Sequence, residues 1–139
     1  MLWKRLAFLV IAFALIDAVY LAVATSSGGV PPCTVGGCEL VLTSQYSHIG
    51  GISLSWFGIA FDLSFLALLS VWSIRPNKSV DQLVVSSAVL GVFVTLVLLA
   101  IEVFFLHAYC LYCMVHGSLL ALSLVFVSLG NKYSTQLVR

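Results

Sequence analysis

The sequence predicts an all-α integral membrane protein, a four-transmembrane-helix bundle with an extracytoplasmic loop that carries a cysteine pair. Of its 139 residues, 62% are apolar and only 8% are charged, whereas a soluble domain carries about 25% Asp, Glu, Lys and Arg. Four apolar stretches are each long enough for a helix to cross the hydrocarbon core of a bilayer. This composition excludes an ordinary soluble protein and a basic nucleic-acid-binding domain.

The four predicted spans cover about residues 6–24, 54–74, 83–106 and 108–129 of one domain, residues 1–139. The first two spans are separated by the only long connection, about residues 25–53, which is rich in Gly, Ser and Pro. A compact polar turn joins the second span to the third, and the third and fourth nearly meet at His107. The lipid bilayer is therefore the first expected partner.

The positive charges predict the orientation of the chain. They lie before the first span, between the second and third, or after the fourth, at Lys4, Arg5, Arg75, Lys78, Lys132 and Arg139. With four crossings these segments share one side, which the positive-inside rule makes cytoplasmic. We expect a multi-pass cell-membrane protein with both termini in the cytoplasm and the 25–53 loop outside. A cleaved secretory signal ending near residue 24 is the alternative for the first span, and it would leave the same loops outside.

The four cysteines form two pairs, and both pairs are expected on the outer, oxidising face, where disulfides persist. Cys33 and Cys38 lie in the long loop, and Cys110 and Cys113 lie where the fourth span begins. Residues at i and i+3 share one face of a helix, within the Cα separation of about 4.4–6.8 Å that a disulfide requires. Because a helix N-terminus lowers the pKa of a thiol, this spacing favours a redox-active dithiol.

Two other interpretations of the cysteines stay open at this point. Static disulfides would staple the loop, although a helix needs no bridge to hold Cys110 to Cys113. Gly36 and Gly37 let the loop pair fold back on itself or swing as an arm. A four-sulfur zinc site is the other alternative, but a lipid-adjacent outer face is a poor place for it, and no metal is predicted. Attachment of c-type haem requires His where Met114 stands.

The cysteine pattern in this topology resembles the vitamin K epoxide reductase family over nearly the whole chain. That family has a Ser six residues after its second loop cysteine, as Ser44 is here, and Phe-Gly at the start of the second span, as Phe57-Gly58 is here. Vertebrate members have an Asn and a Tyr where this chain has Leu54 and Gly117, so the resemblance is closer to the prokaryotic branch. The bacterial disulfide bond formation protein B is a functional analogue with a different cysteine placement.

The resemblance implies a membrane thiol oxidoreductase that supports disulfide bond formation. A reduced thioredoxin-like protein outside the membrane would attack Cys33, Cys38 would then attack Cys110, and Cys113 would face a membrane quinone. The quinone, which is menaquinone, ubiquinone or a related naphthoquinone, would carry the electrons away. The alternatives are a non-catalytic membrane assembly protein with structural disulfides and a quinone or vitamin K epoxide reductase of the vertebrate type.

Four side chains are predicted to contact the quinone. Phe57 and Phe61, at i and i+4, would flank a flat ring, although ordinary helix packing explains their spacing equally well. The resemblance makes Ser44 a donor to a quinone oxygen. His116, three residues after Cys113, is the candidate for lowering the pKa of that thiol or for relaying a proton.

Three acids lie inside the predicted spans, in the half nearer the cysteines: Asp17, Asp62 and Glu102. Charged groups in hydrocarbon are costly and are by default functional candidates. We expect them to pair with His107 or His116, or to carry the protons of quinone reduction. The alternative is that they only hydrogen-bond between helices.

Overall fold

Four long helices and one short helix make up most of the fold. The computed structural model describes residues 2–34 and 37–137. The helices are α1 Leu2–Ser26, α2 Cys38–Thr43, α3 Leu54–Ile74, α4 Lys78–Ile101 and α5 Leu111–Leu137. All but α2 belong to segments long and apolar enough to cross a membrane. The predicted class, an all-α bundle of four such helices with a cysteine pair in its long loop, is confirmed.

The third long helix begins earlier than its apolar stretch because it is capped. The side chain of Asn77 accepts a hydrogen bond from the Val80 N–H at 2.9 Å, which satisfies one of the free amides at a helix start. α4 therefore begins at Lys78, in the polar turn, and not at residue 83 where the apolar run starts.

The four long helices form a ring in which α1 packs on α3 and α5, and α4 packs on the same two helices. One end of the bundle, which we call the turn end, carries the α3–α4 turn. There Lys4 Nζ donates to the Trp72 carbonyl at 2.8 Å and lies 4.2 Å from the centre of the Trp72 ring. The Trp72 indole donates in turn to Asp81. These contacts join α1, α3 and α4.

The core has two apolar clusters. The larger one reaches the turn end and contains Ala7, Ile11, Phe65, Leu69, Trp72, Val84, Ala88, Leu120 and Val127. The smaller one lies at the opposite end, which we call the cysteine end, beside the long α1–α3 connection and the α4–α5 turn.

The α1–α3 connection is folded rather than extended. After α2 come a 3-10 turn, Gln45–Ser47, and two short antiparallel strands, β1 His48–Ile49 and β2 Ile52–Ser53. Gly50 and Gly51 join the strands with φ of 59° and 84°, a backbone that favours glycine at both positions of a tight hairpin turn.

The α4–α5 connection reverses the chain in a few residues. α4 is followed directly by a π-helical turn, Glu102–Leu106, an arrangement with i→i+5 hydrogen bonds that is rare and often found at functional sites. His107 follows with φ of 49°, the left-handed conformation that commonly ends a helix. The Ala108 N–H then donates to the Glu102 carbonyl at 3.1 Å, and α5 begins at Leu111.

Candidate functional site

All four cysteines belong to the small apolar cluster at the cysteine end. Cys38 and Cys110 are fully buried in it, and Cys33 and Cys113 are half-buried against it. Cys33 and Cys38 form a disulfide with their Cα atoms 6.0 Å apart, whereas Cys110 and Cys113 are free thiols. The fold thus brings the two predicted pairs together, one oxidised and one reduced.

Two contacts hold the pairs beside each other. A Cβ atom on Gly37 would lie 2.6 Å from the Tyr109 carbonyl oxygen and 2.7 Å from the Tyr109 nitrogen, so the two backbones touch. The Tyr112 hydroxyl donates to the Pro32 carbonyl at 2.9 Å. Each contact joins residues next to the cysteines, because Gly37 precedes Cys38 and Pro32 precedes Cys33.

In the sequence alone, Gly37 indicates only a flexible loop. Its position directly before a cysteine was the one available signal for this contact, since a glycine is needed wherever two backbones approach closely. Gly36, the other glycine of that interpretation, lies outside the described residues.

Cys110 caps the helix that carries Cys113. Its carbonyl accepts the first helical hydrogen bond, from the Met114 N–H at 3.0 Å, and its sulfur accepts the Cys113 N–H at 3.4 Å. The pKa of the Cys110 thiol lies below its usual value, first because the Cys113 side chain hydrogen-bonds to it, and despite its burial. The first thiol of the pair is therefore primed to act as a thiolate.

Glu102 fixes the backbone of Cys110 from the π-helical turn. Its Oε2 accepts the Cys110 N–H at 3.1 Å, and the residue is only 3% exposed. This partner was not foreseen from the sequence, which pointed to a histidine. The turn that places Glu102 opposite Cys110 depends on i→i+5 hydrogen bonds, and the local sequence carries no pattern that indicates them.

A cavity of about 440 Å³ lies beside the cysteine cluster. This volume is within the range of about 300–1,000 Å³ for small-molecule sites, which are mostly apolar with a few polar groups. Its lining includes Cys113 and Glu102, and also the four side chains predicted to contact a quinone: Ser44, Phe57, Phe61 and His116. The fold thus brings these predicted residues together around one space.

Exposed side chains of α3 and α4 form part of the cavity wall. Phe57 of α3 is 46% exposed, and Leu90 and Val94 of α4 are 55% and 47% exposed, yet all three line it. Apolar side chains on the outside of the bundle and the Cys113 side chain therefore border the same space.

The Phe61 ring and the Ser44 hydroxyl, which both line the cavity, are each fixed by neighbouring groups. Phe61 packs on Phe65 with ring centroids 5.8 Å apart, and a Cβ on Gly91 would lie 2.9 Å from its ring. The Ser44 hydroxyl donates to the Val41 carbonyl at 2.7 Å. The predicted donation from Ser44 to a ligand therefore requires this hydroxyl to turn away from α2.

His116 lies between two of the three acids that the sequence places inside the spans. Its Nδ1 is 3.9 Å from Asp17 Oδ2 of α1, and its Nε2 is 3.9 Å from Asp62 Oδ2 of α3. His107, the other expected partner, is exposed and makes a 3.1 Å hydrogen bond to the Val103 carbonyl. Within residues 2–34 and 37–137, no three His, Cys, Asp or Glu side chains are grouped as a metal ion would require.

A bundle of membrane-spanning helices with adjacent cysteine pairs at one end, one pair next to an apolar cavity, is the architecture of a membrane dithiol oxidoreductase. The model of the vitamin K epoxide reductase family matches residues 5–128, which is most of the chain. The chain belongs to this family, and membership makes it a membrane oxidoreductase of the thiol–disulfide type whose relatives are linked to quinones. A search of curated proteins finds no match to the chain.

Proposed function

We propose that this protein passes electrons from a thioredoxin-like protein through its two cysteine pairs to a membrane quinone, and so supports disulfide bond formation. The observation that carries the proposal is the position of the pairs. All four cysteines share one apolar cluster, and Cys113 lines a cavity whose wall includes apolar side chains exposed on the outside of the bundle. A protein that used its disulfides only as staples would have no need for a free thiol beside such a cavity.

The proposed relay begins at the loop pair, Cys33 and Cys38. A thiolate of the partner attacks Cys33, the half-buried sulfur, and breaks the Cys33–Cys38 bond. Cys38 attacks Cys110 of an oxidised inner pair and releases Cys113. The partner's second thiol then attacks the mixed disulfide and displaces Cys33. Cys33 attacks Cys38 in the Cys38–Cys110 disulfide, which re-forms the Cys33–Cys38 bond and releases the Cys110 thiol. The partner leaves as a disulfide, and the inner pair holds its two electrons and two protons.

The cavity fits a quinone headgroup. When bound there, a quinone supplies the two-electron oxidation of the inner dithiol and leaves as the hydroquinone. The protein's part is to hold the ring between Phe57 and Phe61 beside Cys113 and to keep water out with an apolar lining. Leu54, which also lines the cavity, has no amide to hold an epoxide oxygen, and this favours a thiol oxidase over a vertebrate-type epoxide reductase.

We also propose that the cysteine end faces away from the cytoplasm. All the Lys and Arg residues lie in the first turns of α1, at the α3–α4 turn including the first residue of α4, or beyond residue 130, and the positive-inside rule makes that side cytoplasmic. After mild reduction of intact cells, a membrane-impermeant maleimide should label Cys33 in the wild type. It should not label position 77 in an Asn77→Cys variant whose four native cysteines are replaced by alanine. Labelling of position 77 without labelling of Cys33 would show that the cysteine end faces the cytoplasm, contrary to the proposal.

The relay is tested one step at a time in detergent-purified protein. With the inner pair oxidised, reduced thioredoxin and dithiothreitol are compared as donors to the wild type and to Cys33→Ala. We expect Cys33→Ala to lose reduction by thioredoxin and to keep reduction of the inner pair by the small dithiol. Equal loss with both donors would overturn the order of transfer.

The acceptor step is measured separately on pre-reduced protein freed of reductant, with a short-chain ubiquinone added. The wild type should reduce the quinone and form the Cys110–Cys113 disulfide, whereas Cys113→Ala should do neither. If the wild type leaves the quinone unreduced, or Cys113→Ala reduces it equally fast, the protein is not this enzyme and a structural role for its disulfides is supported.

A further inference from the structure

Three ionisable side chains, those of His116 and its neighbours Asp17 and Asp62, carry no electrons in the proposed relay. Asp62 is fully buried, and the side chains of Asp17 and His116 are 13% and 18% exposed. Both carboxylate oxygens of Asp62 and Oδ2 of Asp17 are buried without a hydrogen-bond partner. Buried polar groups are nearly always hydrogen-bonded, and ionisable groups inside a membrane are costly. Their convergence therefore calls for an explanation.

Their placement couples them to the cavity. Asp17, Asp62 and His116 come from α1, α3 and α5, and only the bundle brings them together. Of the three, His116 lines the cavity, and it is three residues from Cys113, on the same face of α5. The two aspartates lie on either side of its ring, one near each nitrogen, at 3.9 Å.

We propose that the Asp17–His116–Asp62 triad holds a proton on the His116 imidazole and gives it to an oxygen of the quinone reduced in the cavity. This inference rests on the proposed function. His116 is the group that touches the ligand, and the two aspartates are positioning residues that orient its ring.

The step balances in protons and electrons. Oxidation of Cys110 and Cys113 breaks two S–H bonds, forms one S–S bond, and releases two electrons and two protons. The quinone takes up both electrons and both protons, one on each oxygen. His116 supplies one proton and is restored by one from the thiols. The other thiol proton passes through Glu102, which adjoins Cys110 and lines the same cavity.

The charges around His116 favour the return of a proton to its ring after each proton transfer. Asp17 faces it from α1 and Asp62 from α3, and Glu102 at the end of α4 and Cys113 on its own helix share its cavity. No Lys or Arg side chain is paired with it in the described part of the chain. When the imidazolium gives up its proton, the triad gains a negative charge in apolar surroundings, which draws a proton back.

The first test compares His116→Gln and Asp62→Asn with a matched control, Ser123→Ala. Ser123 is also fully buried on α5, but its hydroxyl donates to the Leu120 carbonyl. Oxidation of the pre-reduced inner pair by short-chain ubiquinone is followed in single turnovers across pH. We expect His116→Gln to lose about 100-fold, a typical share for a proton donor, and to lose the pH dependence of the wild type. Asp62→Asn should shift the pH at which the rate of quinone reduction changes, and Ser123→Ala should have the rate and pH dependence of the wild type.

The second test needs no quinone and no variant of the histidine. The ring nitrogens of ¹⁵N-labelled His116 are titrated by NMR in the wild type, Asp17→Asn and Asp62→Asn. If the three groups share a proton, either asparagine displaces the pH midpoint of the His116 signals, while the signals of exposed His107 stay unchanged. A His116 midpoint that neither variant displaces would overturn the triad.

The outcomes separate the two proposals. If the wild type does not reduce the quinone, the proposed function fails, and the NMR titration still decides whether the triad shares a proton. If the wild type reduces the quinone and His116→Gln is equally fast at every pH, the relay stands and the triad inference fails. Reduction of the inner pair by dithiothreitol should be the same in all variants, which reports that they fold.

Discussion

Cys110 combines the position of a helix cap with the chemistry of a thiol. Ser, Thr, Asp and Asn favour the N-cap because a side-chain oxygen accepts an N–H of the first turn, and here the Cys110 sulfur accepts the Cys113 N–H at 3.4 Å. A sulfur in this position is stabilised as an anion by the helix dipole. The spacing Cys110-Leu111-Tyr112-Cys113 allowed this site to be predicted from the sequence, since it needs only a helix that starts at the first cysteine.

The pKa of Cys110 provides a prediction at the scale of one residue. The largest cause of its lowered pKa is the hydrogen bond from the Cys113 side chain. Cys113→Ser keeps a hydroxyl donor, and Cys113→Ala removes it. With Cys33 and Cys38 disulfide-bonded, Cys110 is then the thiol that titrates in both variants. We expect the pKa of Cys110 to be higher in the alanine variant, because the donor that stabilises its thiolate is absent there.

Thiolate absorbance against pH measures this difference. The thiolate should persist to lower pH in Cys113→Ser than in Cys113→Ala, because the donor favours the charged form. Coinciding curves would contradict the assigned hydrogen bond and leave the helix N-terminus as the main influence on Cys110.

At the scale of elements, the approach of the loop to the start of α5 brings the two cysteine pairs together. Gly37 lies directly against Tyr109. The sequence predicted the long loop and the fourth span that meet here, because length and hydropathy identify spans, but it did not predict α2. It did not predict the contact, because a glycine before a cysteine is equally consistent with a turn, a hinge or a close approach.

Gly37→Ala tests this approach. The new Cβ would meet backbone atoms of Tyr109 at 2.6 and 2.7 Å, which cannot rotate away as a side chain can. We expect the loop to move from α5, so that transfer between Cys38 and Cys110 slows at least tenfold, equivalent to about 1.4 kcal/mol in the barrier. Rapid acid quenching and thiol alkylation measure the transfer after mixing with reduced thioredoxin.

Gly29→Ala is the matched control in the same loop, because its nearest neighbour would be the Ala24 carbonyl oxygen at an ordinary 3.6 Å. This variant should transfer electrons at the wild-type rate. An equal loss in both variants would show that loop flexibility, not the contact with Tyr109, governs the exchange.

At the scale of the whole molecule, the two ends of the bundle have different roles: the turn end stabilises the fold, and the cysteine end carries the site. The turn end holds helices together through Trp72, Lys4 and Asp81. The cysteine end has the cavity, the free thiols and the buried carboxylates. Buried groups without hydrogen bonds cost stability, so the tight packing of the turn end offsets a cysteine end arranged for chemistry.

The rotation of each helix about its axis is the feature least accessible from the sequence. In a soluble bundle an apolar stripe identifies the buried face. In a membrane-spanning bundle lipid and core are equally apolar, so no such stripe forms and packing of small residues decides. The sequence therefore placed Asp17, Asp62 and His116 at the same depth but could not show that they face one another.

Gly91 and Gly130 allow the division between the two ends to be tested with one kind of substitution. A Cβ on Gly91 would lie 2.9 Å from the Phe61 ring in the cavity wall, and a Cβ on Gly130 would lie 2.8 Å from the Trp72 ring at the turn end. Both alanine variants thus press on an aromatic ring and should lower the thermal stability in detergent by similar amounts. Only Gly91→Ala moves a ring that lines the cavity. We expect it to raise the KM for short-chain ubiquinone several-fold, whereas Gly130→Ala keeps the wild-type KM and reduction by dithiothreitol is unchanged in both. A KM raised equally by both substitutions would mean that acceptor binding follows the stability of the whole bundle, and that the cavity is not the acceptor site.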